Sequence, residues 1–289
     1  MKIALSAEST IDLDQTHLDK YDIHTLHFHV QKGEEEGFDD QFKNEDLFAF
    51  TNSTGILCHT SACNIGELEE HFKKLFAMGY DRILHFTISS GLSSGYNNAM
   101  AVKGDNPAIE VIDSYGTSGG IALLAIYASE LRDAGYSMEE IVPLVLGRRK
   151  SLQCSFQLDR LDYLYKGGRC SKLAMIGANL LHLKPEIVCD ANGHFNVGRK
   201  HRGNNVKCTL EYIDDMLTAY PNIDKKLCFL DYSTMDPALV KQCTDKCVAF
   251  GFEEVQTYQA CPTNSYHAGP NVIGIHFLYD GPHPVTPKK

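Results

Sequence analysis

The stretch Arg82-Ile83-Leu84-His85-Phe86-Thr87-Ile88-Ser89-Ser90-Gly91-Leu92-Ser93-Ser94-Gly95-Tyr96 decides the fold. Its first seven residues are mostly apolar or β-branched and short enough for one buried strand. Seven residues follow, six of them Ser or Gly, and then a helix over Tyr96 to Val102. The pattern repeats at once: a strand over Ile109 to Asp113, the loop Ser114-Tyr115-Gly116-Thr117-Ser118-Gly119-Gly120, and a long apolar helix to about Arg132. Strands alternating with helices imply a parallel sheet covered by helices. Such sheets bind ligands beyond the carboxyl ends of their strands, where both Ser/Gly loops would sit.

Working outward, Lys2 to Ala7 reads as an opening strand that runs into helix-capping residues. Ile23 to Val30 alternates as one strand, placing His27 and His29 on one face. That pair lacks a third metal ligand and reads as a polar strand face. Residues 31 to 40 read as a solvated acidic loop, Asn44 to Phe50 as a short helix and Ile56 to Thr60 as a strand. Leu68, Phe72, Leu75 and Phe76 mark an amphipathic helix from Ile65 to Met78, stopped by Gly79. A further helix runs from Met138 to about Ser151. Beyond it the regular rhythm ends. An apolar helix over Leu173 to Leu183 precedes strands at Glu186 to Cys189, Leu227 to Asp231 and Ile273 to Leu278. Helices near Thr209 to Ala219 and Pro237 to Phe250 separate these strands. The fold class is therefore α/β with two α/β domains, residues 1–150 and 151–289, the first built on a mainly parallel sheet. The Pro-rich tail from Pro282 reads as frayed.

A chain of 289 residues with 43% hydrophobic and 22% charged residues suits two cores better than one. Its net charge of −10 argues against nucleic acid or an anionic membrane as a main partner. Acidic residues at Glu8 and Asp12 interrupt the apolar start before a signal peptide could form, and no long apolar run reaches membrane-spanning length. A cytoplasmic location is expected. The ten cysteines are scattered without a C-x-x-C pair and read as small buried apolar side chains, so no metal is expected.

Three loops concentrate hydroxyls where strands end: Thr60-Ser61, Ser89 to Tyr96, and Asp113 to Gly119. Free N–H groups and hydroxyls beside a helix start favour an anion. The phosphate loops G-x-x-x-x-G-K-[ST] and G-x-G-x-x-G are both absent, and no cofactor is implied. The serine elbow G-x-S-x-G is also absent, although Ser93 with His267 could still serve a serine hydrolase or esterase. Lys166-Gly167-Gly168-Arg169 is a turn that permits close backbone approach, and His267-Ala268-Gly269-Pro270-Asn271 sets a His on a turn before a buried strand. An interaction module with a purely structural cleft is the third reading.

Taken together and in order, several of these segments resemble the DegV family. They are Thr60-Ser61, Ile88 to Tyr96, Val111-Ile112-Asp113-Ser114, Leu164 to Arg169, Leu183-Lys184-Pro185 and His267-Ala268-Gly269-Pro270. The resemblance runs over nearly the whole chain. It implies two α/β domains with one long-chain fatty acid in the cleft between them. It further implies a non-catalytic subunit that presents the bound carboxylate to a separate ATP-dependent fatty acid kinase, with transient membrane contact for lipid exchange. Carried over by motif, Thr60, Ser61, Ser93, Ser94, Gly95 and His267 would surround the carboxylate. Arg169 and Arg202 would hold the acyl phosphate or dock the kinase. Three positions depart from the family pattern: Glu8 stands in place of Asp, Ser94-Gly95 in place of Gly-Thr, and Asn271 in place of Gly. Burying about fourteen methylenes at about 0.8 kcal/mol each supplies roughly 11 kcal/mol of gross driving force, part of which is lost to ordering. The helix at Leu173 to Leu183, with Phe156, Phe195, Phe229 and Phe277, would line the tunnel.

Overall fold

The computed structural model describes residues 1–170 and 183–288. Four strands, β1 (Ile3–Glu8), β2 (Ile23–Leu26), β6 (Arg82–Thr87) and β7 (Ile109–Asp113), form a sheet in the order β2-β1-β6-β7. Every neighbouring pair in it is parallel. The chain leaves β1 to one side for β2 and later returns to its other side for β6. The crevice beyond the carboxyl ends of β1 and β6 is therefore the switch point where such sheets take ligands.

A second sheet of six strands has the order β10-β9-β8-β13-β11-β12. It comprises β8 (Leu152–Gln157), β9 (Leu183–Cys189), β10 (Phe195–Arg202), β11 (Leu227–Tyr232), β12 (Glu254–Gln259) and β13 (Ile273–Leu278). Only β11 and β12 run parallel; the other pairs are antiparallel. The helix Gly119–Asp133 contacts β1 and β6 of the first sheet and β8, β11 and β13 of the second. Its residues are buried on nearly every side, which explains why it is apolar all round rather than amphipathic.

A small third sheet, β4-β3-β5, departs from expectation. The strand expected over Ile23 to Val30 is broken: β2 ends at Leu26, and β3 (His29–Lys32) joins β4 (Glu35–Phe38) and β5 (His59–Ser61) instead. Residues expected as a solvated loop thus form a hairpin, and the strand expected from Ile56 begins only at His59. His27 and His29 do not share a strand face. His27 Nδ1 pairs with Asp39 at 3.0 Å and His29 Nε2 with Glu67 at 2.8 Å.

The helix Ile65–Ala77 has the expected apolar stripe, with Leu68, Phe72 and Leu75 buried and Asn64 and Glu67 forming a capping box. The helix expected over Leu173 to Leu183 lies outside the described residues. The tail is not frayed: the Lys288 N–H donates to Ala134 O at 2.8 Å, and Val285 packs on the first core. The sheets also meet at the tip of the β9–β10 hairpin, where Ser89 Oγ donates to Gly193 O at 2.7 Å. Gly193 has φ +76°, and a Cβ there would fall 2.0 Å from Ser89 Oγ, so only glycine fits.

Candidate functional site

A cavity of about 780 Å³ opens beyond the carboxyl ends of β6 and β7 and is lined by the loops that follow them, by the six-stranded sheet and by the small one. Phe28, Ile88, Leu92, Phe156, Leu164, Phe195 and Val272 give it an apolar wall. Thr60, Ser61, Ser93, Arg169 and His267 also line it. Three of the sequence-expected loops therefore converge, because Thr117 and Ser118 join the same wall.

His267 is held by the helix Pro262–Ala268. Asn44 Nδ2 clamps that helix by donating to Ala260 O at 2.9 Å and Ser265 Oγ at 2.8 Å. Tyr266 OH accepts from the Cys58 N–H at 2.9 Å, and its ring packs against Phe48 and Tyr163. Fixed in this way, His267 Nε2 sits 2.7 Å from Thr60 Oγ1. Its Nδ1 is buried and unpartnered among the described residues. Burial, with Arg169 and His59 nearby, pushes the imidazole pKa down to about 3, so the ring is neutral at physiological pH. A Cβ on Gly167 would lie 2.7 Å from His267 Nδ1, which explains the glycine turn. Arg169 folds back on that turn, donating from Nη1 to Gly167 O at 2.5 Å, and desolvation lowers its pKa. Thr60, Arg169 and His267 also line a smaller cavity of about 390 Å³ that includes His59 and Lys166.

The hydroxyls divide into two groups. Ser89 and Ser114 are spent on backbone carbonyls, and Ser118 on Asp12. Among the described residues Ser93 Oγ accepts only a long bond, 3.4 Å, from the Gly95 N–H. Ser94 is exposed beside the start of the helix Gly95–Lys103 and does not line the cavity. Gly95 is buried against Glu8, where a Cβ would lie 1.9 Å from Oε1. Glu8 Oε2 accepts from the Ile88 N–H at 2.7 Å. Burial pushes the Glu8 pKa up to about 8 despite that bond, with Asp113 adding to the rise. The acid is therefore protonated at neutral pH and adds no negative charge beside the loop. Arg202 is exposed at the end of β10, away from the cavity.

The expected tunnel aromatics also divide. Phe156 and Phe195 line the cavity and meet edge to face at 5.1 Å. Phe229 and Phe277 are instead fully buried core side chains. Among the described residues the serine hydrolase arrangement is not formed, since His267 pairs with Thr60 and no carboxylate orients its Nδ1. Sequence reasoning missed Asn264, Asp231 and His276, which line the inner wall and come from a short helix and two strands of the second sheet. Their only sequence signal was polarity inside or beside apolar strands. No described helix is long and apolar enough to cross a membrane.

The fold and the site together define an α/β protein with two large sheets and an apolar cavity whose wall carries hydroxyls, a neutral His and an Arg. The family profile described as "uncharacterised protein, DegV family" matches residues 2–280, and the chain belongs to that family. A fatty acid-binding protein of Thermotoga maritima is 30% identical over 210 residues, covering 71% of this chain and 73% of its own. A Thermus thermophilus DegV family protein solved for its fatty acid binding superposes with a TM-score of 0.86 at 21% identity, covering 96% of this chain and 100% of its own. The Streptococcus pneumoniae fatty acid kinase (Fak) B3 protein, loaded with linoleic acid, superposes with a TM-score of 0.82 at 20% identity, covering 97% and 100%. At these identities the two structural likenesses show a shared fold.

Proposed function

We propose that the protein binds one long-chain fatty acid in the cavity between residues 1–150 and 151–289 and presents its carboxylate to a separate ATP-dependent kinase. The observation that carries this reading is the convergence of Thr60, Ser61, Ser93, Arg169 and His267 on a cavity that also carries an apolar wall. An apolar wall retains the chain, while hydroxyls and an Arg offset the desolvation of a carboxylate. The names of the Thermotoga and Streptococcus relatives support the same reading.

In this reading Thr60 and Ser93 donate to the carboxylate, assisted by Ser61 and by the backbone near Ser94 and Gly95. His267 orients Thr60 and carries no charge of its own. Thr60, Arg169 and His267 line both cavities, so the smaller one, with Lys166 and His59, suits the phosphoryl group that the kinase would add. Arg202, being exposed, is assigned to the kinase-facing surface. The protein itself then needs no turnover, works in the cytoplasm and exchanges its lipid by transient membrane contact.

Native mass spectrometry of protein purified from cells, followed by solvent extraction and lipid identification, tests the proposal. One fatty acid per chain, depleted in Ser93→Ala and Thr60→Ala, is the expected result. A protein that emerges empty and stays empty after incubation with palmitate and oleate would overturn it.

A further inference from the structure

The cavity's inner wall carries a polar group that an all-hydrocarbon chain would leave unmatched. Asp231 stands at the end of β11 with its side chain 4% exposed, and it lines the cavity. Oδ2 is fully used: it accepts from the Gly119 N–H at 2.9 Å and lies 2.9 Å from His276 Nε2. Oδ1 is buried and takes no hydrogen bond among the described residues. Asp12, its buried neighbour, is in contrast saturated by Ser118, by Asn264 and by the Cys261 N–H. A Cβ on Gly274 would fall 3.0 Å from His276 Nε2, so the missing side chain there keeps the wall open beside the Asp231–His276 pair.

The place along the ligand follows from the helix Pro262–Ala268. Asn264 and His267 both line the cavity and are three residues apart, about 5 Å along a helix axis. Asn264 bonds Ser118 Oγ at 3.0 Å, and Asp231 caps the next residue, Gly119. Asn264, Ser118, Gly119 and Asp231 thus form one hydrogen-bonded cluster on the cavity wall, distinct from the Thr60–His267 pair, and in the proposal this cluster faces the chain of the ligand.

An unmatched buried carboxylate oxygen is costly, and plain methylenes packed against it would fix that cost in place. A hydrogen-bond donor on the chain would remove it. We propose that the wall around Asp231 is a hydroxyl-recognising subsite, and that the preferred ligand is a long-chain fatty acid bearing a hydroxyl along its chain. The donor is neutral because Asp231 already has His276 as its charge partner. Burial works against charge on that imidazole, but the flanking Cys154 and Asp231 raise its pKa. The proposal rests on the fatty-acid reading above and adds its chain chemistry.

The test is competition for delipidated wild-type protein, read by native mass spectrometry. Octadecanoic acid is set against a positional series of monohydroxy-octadecanoic acids. One isomer, or two adjacent ones, should outcompete octadecanoic acid by about tenfold or more, the worth of one hydrogen bond to a charged acceptor. The isosteric Asp231→Asn should bring that ratio close to one. Octadecanoic acid binding at least as well as every isomer would overturn the subsite and leave the fatty-acid reading standing. Binding of no acid of either kind would overturn both.

Discussion

Thr60 Oγ1 lies 2.7 Å from His267 Nε2, joining an edge strand of the small sheet to a helix more than two hundred residues later. With the ring neutral and Nδ1 unpartnered, the proton belongs on Nε2, because a bare buried N–H on Nδ1 would cost more than a bare lone pair. Nε2 then donates to Thr60, which frees the hydroxyl proton to point at an anion. Thr60→Val should weaken oleate binding about tenfold or more, as loss of one hydrogen bond to a charged group. Thr60→Ser should retain most of the affinity. Calorimetric titration of delipidated protein measures both, and wild-type affinity in Thr60→Val would remove this hydroxyl from the site.

Glu8 makes stability fall with rising pH. Its carboxyl titrates near 4.5 when unfolded and at about 8 when folded, chiefly because it is buried. The folded state therefore binds the extra proton, and the resulting stability is complete below pH 4.5 and lost as pH climbs through about 8. Urea melts at mildly acidic, neutral and alkaline pH should show a decline of a few kcal/mol across that window. Glu8→Gln should flatten the curve. An equally steep decline in the variant would assign the pH dependence to other groups.

Gly95 offers a reversal of an ordinary rule. At an open helical position, Gly→Ala stabilises by up to about 1 kcal/mol. Here the added Cβ would meet Glu8 Oε1 at 1.9 Å, inside a buried contact that also engages the Ile88 N–H. Gly95→Ala should therefore destabilise by about 1–3 kcal/mol, as overpacking does, and weaken ligand binding because the Ser93 loop must shift. A variant that melts above wild type would show that Glu8 moves aside freely.

The N-terminal half was legible because its strand–loop–helix repeat is local: β6, β7 and their Ser/Gly loops lie where the periodicity placed them. The break between β2 and β3 was not. Ile23 to Val30 alternates without interruption, and the change of sheet is imposed by Asp39, which holds His27, Ser9 and Thr263 from three other segments. At the site, Thr60, Ser93, Arg169 and His267 stood out as polar residues on turns, where packing does not explain them. Asp231 and His276 sit inside apolar strands, and nothing short of the sheet order reveals that β11 and β13 bring them side by side. Phe156 and Phe229 are alike in sequence, and only the three-dimensional packing sends one to the cavity and the other to the core.

Arg148 provides a test of how the two large sheets are held together, separate from the ligand. It ends the helix Met138–Arg149 with its side chain 6% exposed. Nη2 donates to Asp224 Oδ2 at 2.8 Å, just before β11, and to Asp280 Oδ1 at 3.0 Å, just after β13. The guanidinium also lies 4.9 Å over the Tyr127 ring on the central helix. Removing it would strand two acids, of which Asp224 is the more deeply buried, and breaking such a pair costs about 3–5 kcal/mol. Arg148→Ala should lower the melting temperature by on the order of 10 °C, given about 2–4 °C per kcal/mol for chains approaching this length. Arg148→Lys keeps the charge but not the planar guanidinium that stacks over Tyr127, so its loss should be intermediate. Oleate affinity, measured well below either melt, should stay at the wild-type value, since none of these residues lines the cavity. An Arg148→Ala protein as stable as wild type would mean that the ion pairs only repay their own desolvation and that the interface rests on the apolar helix Gly119–Asp133.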